Sequence, residues 1–174
     1  MKILHKEVYL RDRFEKDLDD YIKWFTSDTE WQNWDAPWEK GDFSEKEYRE
    51  KFIANLKLTL PIPRRRFEIC LNNDEHIGWM NSYFLDEKKK KLAIGIDIPE
   101  IKYRGKGYGK MSLILFINYL LENGVTNIYT QTWSGNKAMI LLAEKLGFEE
   151  IDRKKDIRKV NNAFYDALTF MLNN

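Results

Sequence analysis

The chain has 174 residues, with 29 Lys+Arg against 28 Asp+Glu and a net charge of +1. At roughly 100–200 residues per domain this is one domain, residues 1–174, and its 14% aromatic content excludes low-complexity disorder. Balanced charge gives no global field for nucleic acid. No apolar run nears the ~20 residues of a membrane span, no signal-peptide core opens the chain, and the lone Cys70 fits a reducing compartment; a cytoplasmic protein without nucleic-acid or membrane partners is expected.

In chain order, Val8 and Leu10 suit a short opening strand. Asp12, with Glu15 three residues on, offers a helix N-cap, and Leu18, Tyr21, Ile22 and Phe25 recur at the spacing of one helix face. Ser44 and Glu47 form a fuller capping box for a second helix, which buries Tyr48, Phe52 and Leu56 and stops at Pro61 and Pro63. Residues 67–71, 77–85 and 92–98 read as strands, separated by turns at 72–74 and 86–88. In the third strand Ile94, Ile96 and Ile98 alternate with Gly95 and Asp97, so Asp97 faces away from the isoleucines. A strongly apolar helix spans 110–123 and closes at Gly124; a strand follows at 128–133, and a helix over 136–146 closes at Gly147. Residues 148–157 and 164–172 pair as a hairpin around Asn161 and Asn162. The class is α/β (α+β): a mixed, mostly antiparallel sheet flanked by helices.

The most informative segment is Arg104, Gly105, Lys106, Gly107, Tyr108, Gly109 and Lys110, between a strand and a buried helix. Alternate glycines let backbone approach a ligand closely, and a helix N-terminus behind them presents unpaired N–H groups. With Lys102 and the loop cations, this is chemistry for a phosphate or pyrophosphate. A Walker loop needs four residues before Gly-Lys and then Ser or Thr; only three lie between Gly105 and Gly109, and Met111 follows Lys110. A dinucleotide fingerprint fails as well, because the third glycine comes one residue early.

Arg104-Gly105-Lys106-Gly107-Tyr108-Gly109 resembles the acetyl-CoA pyrophosphate loop of the GNAT acetyltransferase superfamily. The run from Asn136 through Lys145, Gly147 and Phe148 is similar to that superfamily's Asn-led helix ending in Lys-x-Gly-Phe. Residues 160–168, Ile77-Gly78-Trp79 and 94–98 resemble the branch containing the RimJ/RimL ribosomal-protein N-terminal acetyltransferases. The resemblance runs from about Val8 to Leu172. It implies direct acetyl transfer from acetyl-CoA, as co-substrate, to a primary amine on a small molecule or a protein N-terminus. It also implies that backbone at Ile96 and Ile98 holds the pantetheine amides, that Arg104 to Lys110 cradle the pyrophosphate, and that Asn136 contacts the pantetheine arm.

The superfamily's usual Tyr acid is replaced by Ala143, leaving Tyr108, Ser134 and Tyr165 as unranked substitutes. Asp97 is the best-placed carboxylate for a general base, with a solvated or salt-bridged strand residue as the competing reading. Trp31, Trp34, Trp38 and Asp35 lie where members build the acceptor pocket; an aromatic wall with a carboxylate suits an amine, and packing of the loop is the alternative. Trp79, Asn81 and Trp133 stand at strand ends that line the same cleft, or simply pack there. Cys70 reads as a small buried hydrophobe, the basic runs 64–66 and 88–91 as solvated faces, and no Cys/His spacing indicates a metal. Two rivals stay open: an idle acyl-CoA-binding module, and an antibiotic or polyamine acetyltransferase. The acceptor and the oligomeric state, a homodimer included, are left open.

Overall fold

The β-branched and aromatic runs form the sheet. In a computed structural model that describes residues 1–39, 41–86, 88 and 90–173, eight strands form one sheet: β1 (Lys2–Leu4), β2 (Val8–Arg11), β3 (Arg66–Leu71), β4 (His76–Phe84), β5 (Leu92–Asp97), β6 (Ile128–Trp133), β7 (Phe148–Val160) and β8 (Ala163–Leu172). Their order is β1-β2-β3-β4-β5-β6-β8-β7. Every neighbouring pair is antiparallel except β5–β6. Parallel strands need a crossover. Here that crossover is α3 (Tyr108–Glu122), accompanied in the fold by α1 (Leu18–Thr26), α2 (Glu45–Leu56) and α4 (Lys137–Lys145). The protein is an α/β fold with the mixed, mostly antiparallel sheet its sequence implies.

Period-two alternation divides the buried residues between two clusters. Phe67, Ile69, Met80 and Ile94 pack with Phe116 and Leu120 of α3 and Ala143 of α4. On the other side Trp79 joins Leu18, Tyr21 and Trp24 of α1, Phe52 of α2 and Trp31. Adjacent residues Trp79 and Met80 thus serve different cores. Ser44 caps α2, its Oγ accepting from the Glu47 N–H at 3.4 Å. Gly124 and Gly147 follow α3 and α4 with φ of 80° and 86°, the left-handed conformation that ends helices. Among the described residues, no helix is long and apolar enough to cross a membrane.

A bulge in β4 places an ionic layer beneath α1. Cys70 pairs with His76 but Ile69 with Gly78, so Ile77 is an extra residue, and His76 shares a face with Trp79 despite an odd spacing. The Glu68 carboxylate, fully buried, accepts from Arg13 Nε (2.9 Å), Arg66 Nε (3.2 Å), Tyr21 Oη (2.5 Å) and His76 Nε2 (3.1 Å). His76 Nδ1 meets Asp20 at 2.8 Å, and Arg11 pairs with both oxygens of Asp17 at 2.6 Å. Carboxylates on both ring nitrogens make His76 an imidazolium. Burial by itself lowers the His76 pKa; the bonds to Asp20 and Glu68 outweigh it and raise it to about 9. Burial likewise opposes ionisation of Glu68, but His76, Arg66 and Arg13 hold it well below the usual carboxylate range. Asp17, Asp20 and His76 lie within metal-ligand reach of one another, yet Arg11 occupies both Asp17 oxygens.

Several local expectations change. Asp12 does not cap α1: a 3₁₀ turn, Glu15–Asp17, comes first, and Asp17 Oδ2 accepts from the Phe14 N–H at 2.7 Å. Asp12 instead binds the N-terminal ammonium (2.7 Å) and Arg64 Nε (3.1 Å). Helix α2 ends at Leu56, well before the prolines, through bonds from Lys57 and Leu58 to Ala54 and Asn55 carbonyls. The run 64–66 is not a solvated face, because Arg64 pairs with Asp12 and Arg66 with Glu68. Strand β1 adds to the expected elements; its three residues, opened by polar Lys2, carry too little pattern to mark a strand. The last hairpin is longer than expected and turns at Asn161 and Asn162, with φ of 48° and 65°. Of the turn expected at 86–88 and the basic run at 88–91, Glu87 and Lys89 lie outside the described residues.

The ionic layer sets a pH dependence. A folded pKa above the unfolded value of about 6.5 means that the His76 contribution is complete below that pH and is lost as pH rises toward about 9. Urea unfolding across this window should show declining stability, and His76→Gln should flatten the decline. Glu68→Gln should destabilise by about 3–5 kcal/mol, as expected when one partner of a buried ion pair is removed.

Candidate active site

Strands β5 and β6 pair only at Leu92–Ile128 and Ala93–Tyr129 and then separate. The Leu92 N–H donates to the Asn127 carbonyl at 3.1 Å, and the buried Thr130 hydroxyl donates to the Ile94 carbonyl at 2.9 Å. By alternation the backbone groups of Ile96 and Ile98 point toward the same widening gap. On the far edge of β5, β4 approaches so closely that a Cβ on Gly78 would lie 2.1 Å from the Asp97 carbonyl oxygen. Any larger residue there would push β5 away.

Past the strand end, the loop turns on Gly105 (φ 72°) and Gly107 (φ 88°) into the start of α3. No side chain caps this helix; its first intrahelical bond runs from the Met111 N–H to the Gly107 carbonyl. The N–H groups of Tyr108, Gly109 and Lys110 therefore have no intrahelical acceptor. A Cβ on Gly105 would meet nothing within 4 Å, and one on Gly107 only the Met111 methyl at 3.9 Å, so the glycines leave an open cradle. A Cβ on Gly109 would point inward, 3.7–3.8 Å from side-chain atoms of Ile98, Leu142 and Ile96. Lys106 and Lys110 are exposed. Arg104 turns back on the strand: Nε donates to the Ile98 carbonyl (2.8 Å), one terminal nitrogen to the Pro99 carbonyl (2.5 Å) and the other to Glu30 (2.6 Å). The residues present fit an anion held by backbone amides, with Arg104 fixing the loop's base.

Asn136 caps α4, accepting from the Met139 N–H at 3.0 Å, while its Nδ2 donates to the Trp34 carbonyl at 3.0 Å. Trp133 donates its indole N–H to that carbonyl at 2.9 Å. Its ring lies edge-on to Tyr165 (4.8 Å) and Trp38 (6.0 Å) and covers Gly135, where a Cβ would overlap it at 1.8 Å.

The tryptophans expected to wall the acceptor pocket divide. Trp31, 7% exposed, donates to the Trp24 carbonyl (2.9 Å) and packs edge-on to Trp79, itself in the second core. Trp34 is 44% exposed and donates to Glu30 at 2.6 Å. Asp35 is an exposed residue whose carboxyl is nonetheless partly shielded by the protein, and this desolvation, followed by the Glu39 charge, raises its pKa. Asp97 pairs across the ladder with Trp79, facing away from the isoleucines. Protein surrounds its carboxyl, and this burial, followed by the Asp35 charge, holds its pKa well above the usual range against the pull of Arg66, Arg104 and Trp79.

Ala143 is fully buried in the first core, without a donor. Among its substitutes, Tyr108 is half-buried at the start of α3, Tyr165 packs on Trp133, and Ser134 Oγ accepts from the Asp166 N–H at 3.0 Å. Cys70 is buried, and burial raises its thiol pKa. Glu30 and Glu39 join the site only in the folded chain, Glu30 through Arg104 and Trp34 and Glu39 beside Asp35. No local pattern marks an acidic residue whose partners are 74 residues away, as Arg104 is from Glu30.

Comparison with known proteins shows the family and the fold. A family model described as an acetyltransferase (GNAT) domain matches residues 7–149. Over 106 residues the chain is 27% identical to the SPbeta prophage-derived uncharacterized N-acetyltransferase YokL of Bacillus subtilis (strain 168), covering 60% of this chain but 59% of that protein's length. The ribosomal-protein-S5-alanine acetyltransferase of Vibrio fischeri superposes with a TM-score of 0.77 at 16% identity, covering 100% of this chain and 97% of that one. RimL, a ribosomal L7/L12 α-N-protein acetyltransferase solved in complex with coenzyme A, gives 0.77 at 17% identity over 98% and 97%. At these identities the solved structures establish a shared fold.

The division among the tryptophans is measurable. Trp31→Ala should lower stability by roughly 3–5 kcal/mol in chemical denaturation, as for a large core aromatic. Exposed Trp34→Ala should lose far less. Equal losses would place both rings in the core.

Proposed function

We propose, from the premise that this chain belongs to the GNAT acetyltransferase family, that it is an acetyl-CoA-dependent N-acetyltransferase acting on a primary amine of a small molecule or a protein N-terminus. One acetyltransferase domain would occupy residues 1–174, and the lone buried thiol suits a cytoplasmic setting. The observation that carries the reading is the uncapped start of α3 behind Gly105 and Gly107, at the mouth of the β5–β6 gap.

Residues 104–110 would hold the pyrophosphate through backbone N–H groups, while Ile96 and Ile98 offer backbone groups to the pantetheine amides. When bound, acetyl-CoA supplies an activated acyl group. The chain's task is to present a neutral amine to it. An ammonium has no lone pair, and an amine of Lys type has a pKa of about 10.4. Asp97 would take the amine's proton, directly or through water. Burial raises its pKa well above the usual carboxylate range, and a carboxylate of higher pKa is the stronger base. Trp34, Asp35 and Trp133 would flank the acceptor, with Trp31 and Trp79 supporting them from the second core. A second reading, an acyl-CoA-binding module without turnover, draws on Ala143, which offers no proton to a leaving thiolate. Thiol release measured against a panel of amines separates the two; binding without release on every amine favours the module.

Gly107→Val should weaken CoA binding by roughly tenfold or more, about 1.4 kcal/mol per decade, because a β-branched residue resists φ of 88° and fills the cradle. Calorimetry showing unchanged affinity in a folded variant would remove the loop from the site.

Asp97→Asn should reduce kcat/KM by about 10²–10⁴-fold with the fold intact. The loss should shrink as pH approaches the amine's own pKa, because free amine then arrives without help. In the wild type, activity should rise with pH through the raised Asp97 pKa, since only the carboxylate accepts a proton. A small loss uniform across pH would make Asp97 an orienting residue instead.

A further inference from the structure

Beyond Ala93 and Tyr129 no ladder joins β5 to β6, yet side chains connect the two ends across the gap. Arg104 grips the β5 end through the Ile98 and Pro99 carbonyls. Trp133 and Asn136, at the end of β6 and the start of α4, grip the Trp34 carbonyl. Between these two grips stands one carboxylate. Glu30 Oε2 accepts from Arg104 and Oε1 from the Trp34 indole, both at 2.6 Å. Each oxygen has its own donor, so loss of either bond breaks the connection.

We propose that Glu30 is a positioning residue, tying Arg104 of the glycine loop to Trp34 of the acceptor wall so that the two halves of the site form together. The inference rests on the function proposed above. An acceptor that moves the Trp34 indole must pull on Glu30 and hence on the base of the pyrophosphate loop. By linkage, anything that fixes Arg104 also fixes Trp34, and the two affinities must change by the same factor. The link passes through defined hydrogen bonds and needs no general stiffening of the sheet. Arg104 and Glu30 side chains are 29% and 43% exposed, so the coupling belongs at the low end of the usual range.

The test is titration calorimetry with CoA itself on the wild type, Glu30→Gln, Trp34→Phe and the double variant. Gln keeps the length but gives only one accepting oxygen; Phe keeps a ring and removes only the indole donor. Neither residue is placed at the pyrophosphate. Each single variant should weaken CoA binding by about fivefold. The double variant should be no weaker than the singles, because both cut one link. With a turning-over amine, Glu30→Gln should raise the KM of both substrates more than it lowers kcat. Unchanged CoA affinity in both single variants overturns the proposal, including where their thermal stability falls. Losses that add in the double variant overturn it too, since they mark separate effects. A wild-type chain that binds no CoA overturns both this proposal and the function it rests on. Normal wild-type binding with unaffected variants overturns this one alone.

Discussion

Where β5 and β6 part, backbone groups that a sheet would ordinarily pair must find other partners, and much of the molecule is arranged around that need. Thr130 satisfies the Ile94 carbonyl from β6, and Arg104 satisfies Ile98 and Pro99 from the loop that follows. What remains at Ile96, and on the first N–H groups of α3, faces a cleft that an amide-rich, anionic ligand complements. The gap exists because β5 and β6 are parallel and joined through α3, so the crossover delivers a helix N-terminus to the point where the ladder fails. In doubly wound sheets ligands collect at such places for the same reason.

The opposite face meets a different constraint. Its helices α1 and α2 cover a layer of charge as well as apolar surface, with Glu68 fully buried among Arg13, Arg66, Tyr21 and His76. Such a layer is tolerated because each carboxylate oxygen and each ring nitrogen finds a partner. The bulge at Ile77 makes this geometry available by turning His76 toward Glu68 and Asp20. Arg66 belongs to this layer and also lies 5.4 Å from the centre of the Trp79 ring, and its positive charge pulls the Asp97 pKa down against burial. The electrostatics of the candidate base are thus partly set by residues that support α1.

Trp34 shows how one residue of an irregular segment is held by several elements. Its carbonyl is fixed from β6 and α4, and its indole from Glu30. A half-exposed aromatic ring held in this way can meet an acceptor without the entropy loss of ordering a free loop. Trp31, three residues earlier, is committed to the core. Neighbouring tryptophans of one segment are therefore held differently, Trp31 by packing and Trp34 by hydrogen bonds at the surface.

The amino-acid sequence by itself determined the order of helices α1 to α4 and of every strand but β1, the class of the sheet, the glycine loop and the direction of Asp97. These follow from local rules: periodicity, capping by Ser44 and Asn136, and glycines where φ turns positive. It could not separate Trp31 from Trp34, because both are large aromatics in the same irregular run and only packing distinguishes them. Nor could it show Glu68 and His76 buried, since a charged side chain goes inside only where distant residues supply its partners, and the bulge that turns His76 inward leaves no period of its own. Asp12 failed as a cap for the same reason: Asp17, held by Arg11 on the neighbouring strand, was already in position. The link from Arg104 through Glu30 to Trp34 joins residues 74 positions apart, and only the folded sheet brings those three side chains within hydrogen-bonding distance.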